Sequence, residues 1–426
     1  MGDIDIFWIN GFTDPIQAIE SITKLLLIKE ILASGSLSKY RNSANTHLFG
    51  KFIDFDWKSF RSENKHQFAD IFKNELFPLC DFLADQGDEI GLLASSLRFA
   101  IPDANNIFFN EILDLLDFEI EKNDYTPRDL FEDLFSEISI AGRNGEFVTP
   151  DHITELMVEM VAPNLNDSIL DPFCGTGTLL IKAAEYIHKN EQPLLSKKDK
   201  KLQFSNDIFR GNDQNSTISN LGKIRMFLNR IKPNINNEDT FNDFFLKENQ
   251  NKFSLIISNP PFFATRSERY SSVLELNTNR SELLIIEACL KMLKEGGRAA
   301  IIVPQGLLFG SSKAHIQIRK RLVDDNCLEG VVSLPSGAFN PYTGVQASIL
   351  LFKKSKKNTT KKVWFYDIQS DGFSLNQKRS PLLAQDKIGP TPEKALTSED
   401  HIKNNLPECL NQWQDKKLIS EQSFYL

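Results

Sequence analysis

Residues 169–177, Ile-Leu-Asp-Pro-Phe-Cys-Gly-Thr-Gly, join a short apolar run to a turn that contains two glycines. The apolar run predicts a buried strand at 168–171, followed by the turn and then a helix. Gly175 and Gly177 let the backbone turn tightly and approach a ligand without interference from a Cβ atom. Ligands of open α/β folds bind at the carboxyl ends of the strands. The stretch therefore predicts an α/β fold with a ligand site directly after this strand.

The segments after residue 145 alternate between strand-like and helical patterns, which is typical of a parallel sheet with helices on both faces. Short runs rich in Ile, Leu and Val predict further strands at 253–258, 299–303, 328–333 and 347–352. Helical spacing predicts helices at 149–161, 216–231 and 281–294. We expect Gly296 and Gly297 to form the C-cap of the last helix. The lysine-rich stretch 189–201 is expected to be a solvated surface insertion.

The sequence divides into three predicted parts. Apolar residues at helical spacing predict a helical domain over residues 1–140. The alternating α/β pattern occupies residues 141–370, and residues 371–426 are expected to form a partly helical C-terminal tail. Because the chain ends there, we expect it to contain no built-in recognition domain.

The glycine turn differs from two common phosphate-binding loops. It lacks the third glycine of the dinucleotide fingerprint and the Gly-Lys-Ser/Thr of a phosphate loop, so neither a pyrophosphate nor a triphosphate is the expected ligand. Two acids that follow later strand positions fit a nucleoside instead. Asp213 is placed to accept bonds from ribose hydroxyls, with Asp207 as the alternative, and Asp239 lies where an adenine amino group is expected.

Residues 259–262, Asn-Pro-Pro-Phe, follow the predicted strand 253–258. The Asn259 side-chain oxygen and the Pro260 carbonyl can accept both hydrogens of a planar amino group, whose nitrogen is otherwise a poor nucleophile. Pro260 and Pro261 fix the loop, and Phe262 offers a face on which an extruded base can stack. Together with the glycine turn, this loop predicts methyl transfer from a sulfonium cofactor to an amino nitrogen. The structural alternative is a Pro-Pro turn followed by a core Phe.

Composition narrows the class of protein further. The chain has 426 residues, a net charge of −8 and a pI of about 5.5, which is not the basic footprint of a protein that grips DNA alone. Five scattered cysteines without a CxxC pair argue for a reducing cytoplasm and against a zinc site. We expect no metal site, no signal peptide and no membrane span.

The order of these segments resembles the modification (methyltransferase) subunits of type I restriction-modification systems. Similar segments are Phe-Val-Thr-Pro at 147–150, the glycine turn, the Asn-Pro-Pro-Phe loop, and the stretches 294–309, 334–339 and 371–375. The resemblance implies S-adenosylmethionine as the cofactor, base flipping of adenine in duplex DNA and N6 as the methylated atom. It also implies a seven-stranded, Rossmann-like methyltransferase sheet preceded by a helical domain.

The same resemblance implies partners and residue roles. A specificity subunit binds two copies of such a subunit and chooses the target sequence, and a restriction subunit can join them. By position, the target base is held by Asn259, Pro260 and Phe262, with Phe339 as a further wall or a core residue. The cofactor pocket is implied to be lined by Phe147, Thr149, Asp171, Gly175, Gly177, Asp213 and Asp239.

Two other functions remain open from the sequence. Asn-Pro-Pro-Phe and Asn-Pro-Pro-Tyr loops also occur in enzymes that resemble methyltransferases of ribosomal RNA guanine N2 or of protein glutamine. A methyltransferase-like scaffold that binds nucleic acid or partners without turnover is the second alternative.

Overall fold

The computed structural model of the chain forms two compact units, Met1–Gly142 and Arg143–Leu426. It describes residues 15–33, 36–41, 50–53, 57, 61–62, 67–97, 99, 110–114, 116–117, 126, 128–129, 131–133, 149–195, 208–262, 272–355 and 360–426. Among these residues no helix is both long enough and apolar enough to cross a lipid bilayer.

The described parts of the first unit are helical, as the spacing predicts. Its α-helices are α1 (Pro15–Ala33), α2 (Phe68–Ile71), α3 (Phe77–Asp85) and α4 (Glu89–Ser96). A π-helical turn, Phe72–Leu76, joins α2 to α3. Asp88 caps α4, since its side chain accepts a hydrogen bond from the Gly91 amide at 3.1 Å. Short helical stretches follow at 110–114 and 131–133.

The second unit is built around one sheet, which has nine strands among the described residues, in the order β3-β2-β1-β4-β5-β7-β6-β8-β9. The strands are β1 (Ile169–Asp171), β2 (Phe209–Asn212), β3 (Ile235–Asn236), β4 (Phe253–Ser258), β5 (Leu293–Pro304), β6 (Cys327–Ser333), β7 (Ala347–Lys353), β8 (Trp364–Asp367) and β9 (Ser423–Tyr425). The helices are α5 (Asp151–Val161), α6 (Thr178–Leu195), α7 (Ser216–Leu228), α8 (Asp243–Glu248), α9 (Ser281–Met292), α10 (Gly306–Phe309), α11 (Lys313–Lys320), α12 (Ser398–Lys403) and α13 (Leu406–Gln414).

The sheet is parallel from β3 through β1 and β4 to β5. Strand order runs outward from β1 through β2 to β3, and then restarts on the other side of β1 with β4 and β5. The carboxyl ends of β1 and β4 therefore lie side by side where the order reverses, which is where open α/β sheets bind ligands. The glycine turn follows β1 and the Asn-Pro-Pro-Phe loop follows β4, so the fold brings the two sequence motifs to one crevice.

The α/β class is confirmed, but the expected count of seven strands is wrong. All five strand candidates are strands; β2 and β3 complete the sheet beside β1, and β8 and β9, the two strands beyond the expected seven, extend it past β6. β8 pairs parallel with β6, and β9 covers the outer edge of β8 in antiparallel pairing. Trp364 and Tyr366 on β8 are buried against the core, so this extension carries a hydrophobic face of its own.

One local prediction also needs correction. Gly296 and Gly297 do not cap helix α9, which ends at Met292; Leu293 already has extended backbone angles and begins β5. Gly296 instead turns the start of this strand with φ of 75°. The stretch 189–201 is mostly exposed as far as residue 194, which agrees with the expected solvated surface, and it is helical as far as Leu195 because α6 continues through a kink at Glu191. Its remaining residues lie outside the described part of the chain.

Candidate active site

The glycine turn between β1 and α6 has the backbone conformation that its sequence predicts. Gly175 and Gly177 have φ of 53° and 81°, in the left-handed region that a side chain disfavours. A Cβ atom placed on Gly175 would meet no atom of the described residues within 4 Å. The turn therefore presents bare backbone to open space at the carboxyl edge of the sheet.

Neighbouring elements hold this turn in place. The Cys174 amide donates to the Asn212 carbonyl at 3.0 Å. From α7, the buried Arg225 guanidinium donates to the Thr176 carbonyl at 3.3 Å and to the Thr178 hydroxyl at 2.8 Å. Gly222 lets α7 come close, since a Cβ there would lie 2.9 Å from the Gly175 carbonyl oxygen. The turn is thus preorganised by contacts from β2 and α7.

Asp171, at the end of β1, is only 1% exposed. Its Oδ1 accepts hydrogen bonds from the Ser258 hydroxyl at 2.6 Å and from the Phe173 amide at 3.1 Å. Burial raises the pKa of Asp171 to about 7, and the nearby Asp213 carboxylate acts in the same direction. Because Ser258 ends β4, this bond joins the two strand ends that carry the motifs.

Asp213 and Asp239 are half-buried and both bind backbone amides. Asp213 accepts from the Gly175 amide through Oδ2 at 3.1 Å and from the Asn215 amide through Oδ1 at 2.9 Å. Asp239 accepts from the Phe241 amide at 3.0 Å. A carboxylate oxygen has more than one acceptor position, so Asp213 can fasten the glycine turn and still meet a ligand hydroxyl.

Asn259 follows β4, and only one of its two side-chain amide atoms has a hydrogen-bond partner among the described residues. Its Nδ2 donates to the Thr149 hydroxyl at 2.8 Å. Its Oδ1 is buried and has no hydrogen-bond partner among the described residues. Buried polar atoms are almost always paired, and an unpaired one costs roughly 1–3 kcal/mol. Thr149 therefore fixes the amide and leaves its oxygen as an unused acceptor among the described residues.

The match to a known protein family agrees with this geometry. Residues 126–402 match the family model described as N-6 DNA Methylase. The chain belongs to the N-6 DNA methylase family.

Two curated relatives are methylase subunits. The chain is 32% identical over 275 residues to the type I restriction enzyme EcoEI methylase subunit of Escherichia coli, covering 63% of this chain and 54% of that protein. It is 29% identical over 295 residues to the MpnII methylase subunit of Mycoplasma pneumoniae, covering 63% and 51%. The chain thus spans about half the length of the curated relatives it matches.

Solved structures share the fold of this N-6 DNA methylase. The methyltransferase subunit of the Streptococcus thermophilus type I restriction-modification system superposes with a TM-score of 0.66 at 17% identity, over 99% of this chain and 93% of that one. A chain from a study of complex assembly in the type I R-M system gives a TM-score of 0.73 at 20% identity, over 99% and 85%.

The rest of the Asn-Pro-Pro-Phe loop, residues 260–262, lies between core and surface. Pro260 is buried, Pro261 is exposed and Phe262 is half-buried. The Phe262 ring stands edge-on to Phe339, with centroids 5.9 Å apart and planes at 88°. Phe339 is 2% exposed and belongs to the main core. It therefore supports Phe262 from behind, which fits the core role that the sequence left open.

The crevice thus combines most of the residues predicted from sequence. Separate hydrogen bonds join Asn259 to Thr149, the Gly175 amide to Asp213, and Asp171 to Ser258, the residue before Asn259. Gly177 closes the turn by donating to the Cys174 carbonyl at 2.8 Å. Phe147 lies outside the described residues.

Sequence reasoning missed several supporting residues. Ser258 and Arg225 were not singled out, although each bonds directly to a motif residue. Another is His152, whose Nε2 lies 3.1 Å from Asp371 Oδ2 in a buried pair beside the guanidinium of Arg379. Asp371 belongs to a stretch that carried the family resemblance, so that stretch was the available signal. The pair ties the C-terminal region to the first turn of α5, next to Thr149.

Proposed function

We propose that this chain transfers a methyl group from S-adenosylmethionine to the N6 amino nitrogen of an adenine flipped out of duplex DNA. Membership of the N-6 DNA methylase family supports the reaction class. The observation that carries the assignment of the site is the buried, unpaired Oδ1 of Asn259. The alternatives of an RNA or protein substrate, or of a silent scaffold, have no comparable support.

The role of Asn259 follows from the different surroundings of its two side-chain amide atoms. Its Nδ2 is occupied by Thr149, so the amide orientation is held and Oδ1 remains the acceptor without a partner among the described residues. An adenine amino group has two hydrogens, and we assign one to Asn259 Oδ1 and the other to the Pro260 carbonyl. Accepting both draws the nitrogen out of conjugation with the ring and directs its lone pair. The methylated nitrogen loses one proton, which passes to solvent water; neither acceptor has to hold it, so catalysis depends on positioning and on fixed dipoles.

The residues present fit S-adenosylmethionine. Bound there, the cofactor supplies a methyl group on a positively charged sulfonium. Gly175 faces open space, and neither Asp171 nor Asp213 pairs with a cation among the described residues, so the crevice favours a cationic ligand. We assign cofactor binding to seven residues: Phe147, Thr149, Asp171, Gly175, Gly177, Asp213 and Asp239.

The target base must leave the helix to reach this loop. Extruding a base costs a few kcal/mol, which stacking against an aromatic ring partly offsets. We assign the stacking surface to Phe262, which Phe339 supports edge-on. The two prolines between Asn259 and Phe262 keep the acceptor and the ring at a fixed separation.

We further infer that a partner chooses the sequence to be methylated. The chain carries a net charge of −8, and DNA affinity depends largely on phosphate neutralisation. Two copies on a specificity subunit, with a restriction subunit joining them, is the arrangement that the resemblance implies. A cytoplasmic location agrees with the five cysteines of the chain, all of which are free thiols.

One variant should lose methyl transfer while it keeps cofactor binding. We expect Asn259→Ala, assembled with its specificity partner, to lose at least about 100-fold in methylation rate, the scale seen when one aligned catalytic dipole is removed. S-adenosylmethionine affinity, measured by calorimetry, should stay within about threefold of the wild type. Asn166→Ala, an exposed residue before β1, is the matched control and should change neither. An active Asn259→Ala complex would contradict the assignment of the acceptor.

A further inference from the structure

A basic and apolar surface lies after β5, formed by Phe309, Lys313, Ile316 and Lys320; we call it the β5 ridge. Phe309 is 79% exposed and Ile316 54%, and both lysines are exposed. No Asp or Glu occurs between residues 296 and 323, in a chain with a net charge of −8. The ridge is therefore a local exception to the acidic composition.

The β5 ridge begins at the edge of the sheet that carries Asn259, and α11 then runs back along the sheet toward the start of β6. β4 and β5 are parallel and pair Ser258 with Ile301, so both loops leave at their carboxyl ends. β5 continues three residues further, to Pro304. At about 3.3 Å per residue, β5 ends about 10 Å beyond the start of the target-base loop in the direction of the strands, and the ridge follows that end.

The ridge is rigid. Arg319 reaches under the loop and donates to the Leu307 carbonyl at 2.9 Å and to the Gly310 carbonyl at 2.8 Å. Ser312 caps α11 by accepting from the His315 amide at 3.4 Å. These hydrogen bonds hold the loop that carries Phe309 in place. An exposed apolar side chain in such an ordered loop is typical of an interaction site.

Among the described residues neither Lys313 nor Lys320 forms an ion pair. Arg319 donates to carbonyl oxygens rather than to a carboxylate. Glu282, on the helix α9 that packs against α11, is buried and lies 3.5 Å from Arg280.

The spacing of the lysines suits a nucleic-acid backbone. Lys313, Ile316 and Lys320 share one face of α11, because they are separated by three and four residues. The lysines are about 10 Å apart along the helix axis, close to the rise of three nucleotides at about 3.4 Å each. Ile316 between them offers an apolar contact for the sugars.

We propose that the β5 ridge binds the DNA backbone beside the flipped adenine, with Lys313 and Lys320 on phosphates and Phe309 against a base or sugar next to the target. This inference rests on the proposed function and adds the surface that receives the duplex. It reconciles an acidic chain with a DNA substrate, since the positive charge is concentrated where the duplex must pass to reach Asn259.

Salt dependence tests the ridge without knowledge of the target sequence. The full chain binds a fluorescent duplex of arbitrary sequence, and anisotropy gives the affinity between about 50 and 200 mM salt. The slope of log K against log[salt] is negative, and each lost phosphate contact lowers its magnitude by about 0.9. We expect Lys313→Gln/Lys320→Gln to lower it by about 1.8. Phe309→Ala should weaken binding about tenfold at fixed salt and leave the slope unchanged.

The matched control is Lys361→Gln/Lys362→Gln. These lysines are also exposed, and they precede β8 at the opposite edge of the sheet, because β8 runs parallel to β6 and, through β7, to β5. Their loss removes the same charge and should leave the slope within about 0.3 of the wild-type value, well below the change for a single contact. Equal slope changes in the two double variants, or no change in either, would contradict the proposal that the ridge binds DNA.

Failure of the ridge and failure of the proposed function give different results. If the wild-type complex methylates DNA but the ridge variants keep the wild-type slope, the ridge is wrong and the function stands. If the wild type methylates only RNA while the ridge variants lose slope on RNA and not on duplex DNA, both proposals are wrong. Wild-type protein that binds no duplex at low salt also contradicts the ridge.

Discussion

Replacing Ser258 by alanine should destabilise the protein more at pH 8 than at pH 5. The Ser258 hydroxyl and Asp171 are both buried, and their oxygens are 2.6 Å apart. A hydrogen bond to an ionised group contributes about 1.5–3 kcal/mol and an ordinary one about 0.5–1.5 kcal/mol. Because burial raises the pKa of Asp171 to about 7, the carboxyl is mostly neutral at pH 5 and mostly ionised at pH 8.

The sign of the pH effect follows from proton binding. The unfolded chain loses the Asp171 proton near pH 4, whereas the folded chain keeps it until about pH 7. Between these values the folded state holds more protons, so this group lowers the free energy of unfolding as pH rises. The Ser258 bond favours the ionised form, and its loss deepens that fall. We expect Ser258→Ala to lose about 1 kcal/mol at pH 5 and about 2 kcal/mol at pH 8.

A matched serine on the same strand provides the control. Ser254 donates to Asp167 Oδ1 at 2.7 Å. Burial opposes the ionisation of Asp167, but the Arg298 guanidinium outweighs it and holds the pKa below its ordinary value. Asp167 is therefore ionised at both pH values, and the loss in Ser254→Ala should not differ between them. Urea unfolding at pH 5 and pH 8 measures all of these values. Equal losses for Ser258→Ala at the two pH values would refute the reasoning.

Two further variants test the target-base side and the cofactor side of the crevice separately. Thr149→Val removes the acceptor for Asn259 Nδ2, so the amide loses its fixed orientation. We expect methylation to fall about tenfold with cofactor affinity nearly unchanged, and a wild-type rate would contradict the role of Thr149. Gly222→Val forces α7 away from the Gly175 carbonyl, since its Cβ would lie 2.9 Å from that oxygen; we expect about 1–3 kcal/mol lower stability and weaker cofactor binding by calorimetry, and unchanged binding would contradict the fit.

Local patterns predicted the centre of the sheet well. β1, β4, β5, β6 and β7 each contain a short apolar run, because the central part of a strand that is covered on both faces needs apolar residues. The glycine turn and the Asn-Pro-Pro-Phe loop were also evident, since their backbone demands and chemistry are encoded within a few neighbouring residues.

The edges of the sheet carry weaker signals. β2 reads Phe-Arg-Gly-Asn and β3 has two residues, so neither shows an apolar run that a sequence pattern detects. The pairing of β2 with β1 and of β3 with β2 is set by the sheet rather than by their own composition. β9 comes from the last residues of the chain and pairs with β8, nearly sixty positions earlier. Such contacts depend on the tertiary fold.

The supporting contacts of the crevice are also long-range. The bond from Ser258 to Asp171 spans 87 positions and that from Asn259 to Thr149 spans 110. The pair of His152 and Asp371 spans 219. Sequence spacing indicated which residues were chemically suitable, but not which oxygen or nitrogen each would meet. The unpaired Oδ1 of Asn259 in particular follows only from the assembled geometry.

Nucleoside analysis tests the central proposal most directly. Duplex DNA incubated with S-adenosylmethionine and the wild-type chain, assembled with its specificity partner, is digested to nucleosides and analysed by mass spectrometry. The proposal predicts N6-methyladenine as the product, formed by the wild type and absent with Asn259→Ala. Methyl label found only in RNA or protein, or only on cytosine in the DNA, would contradict it.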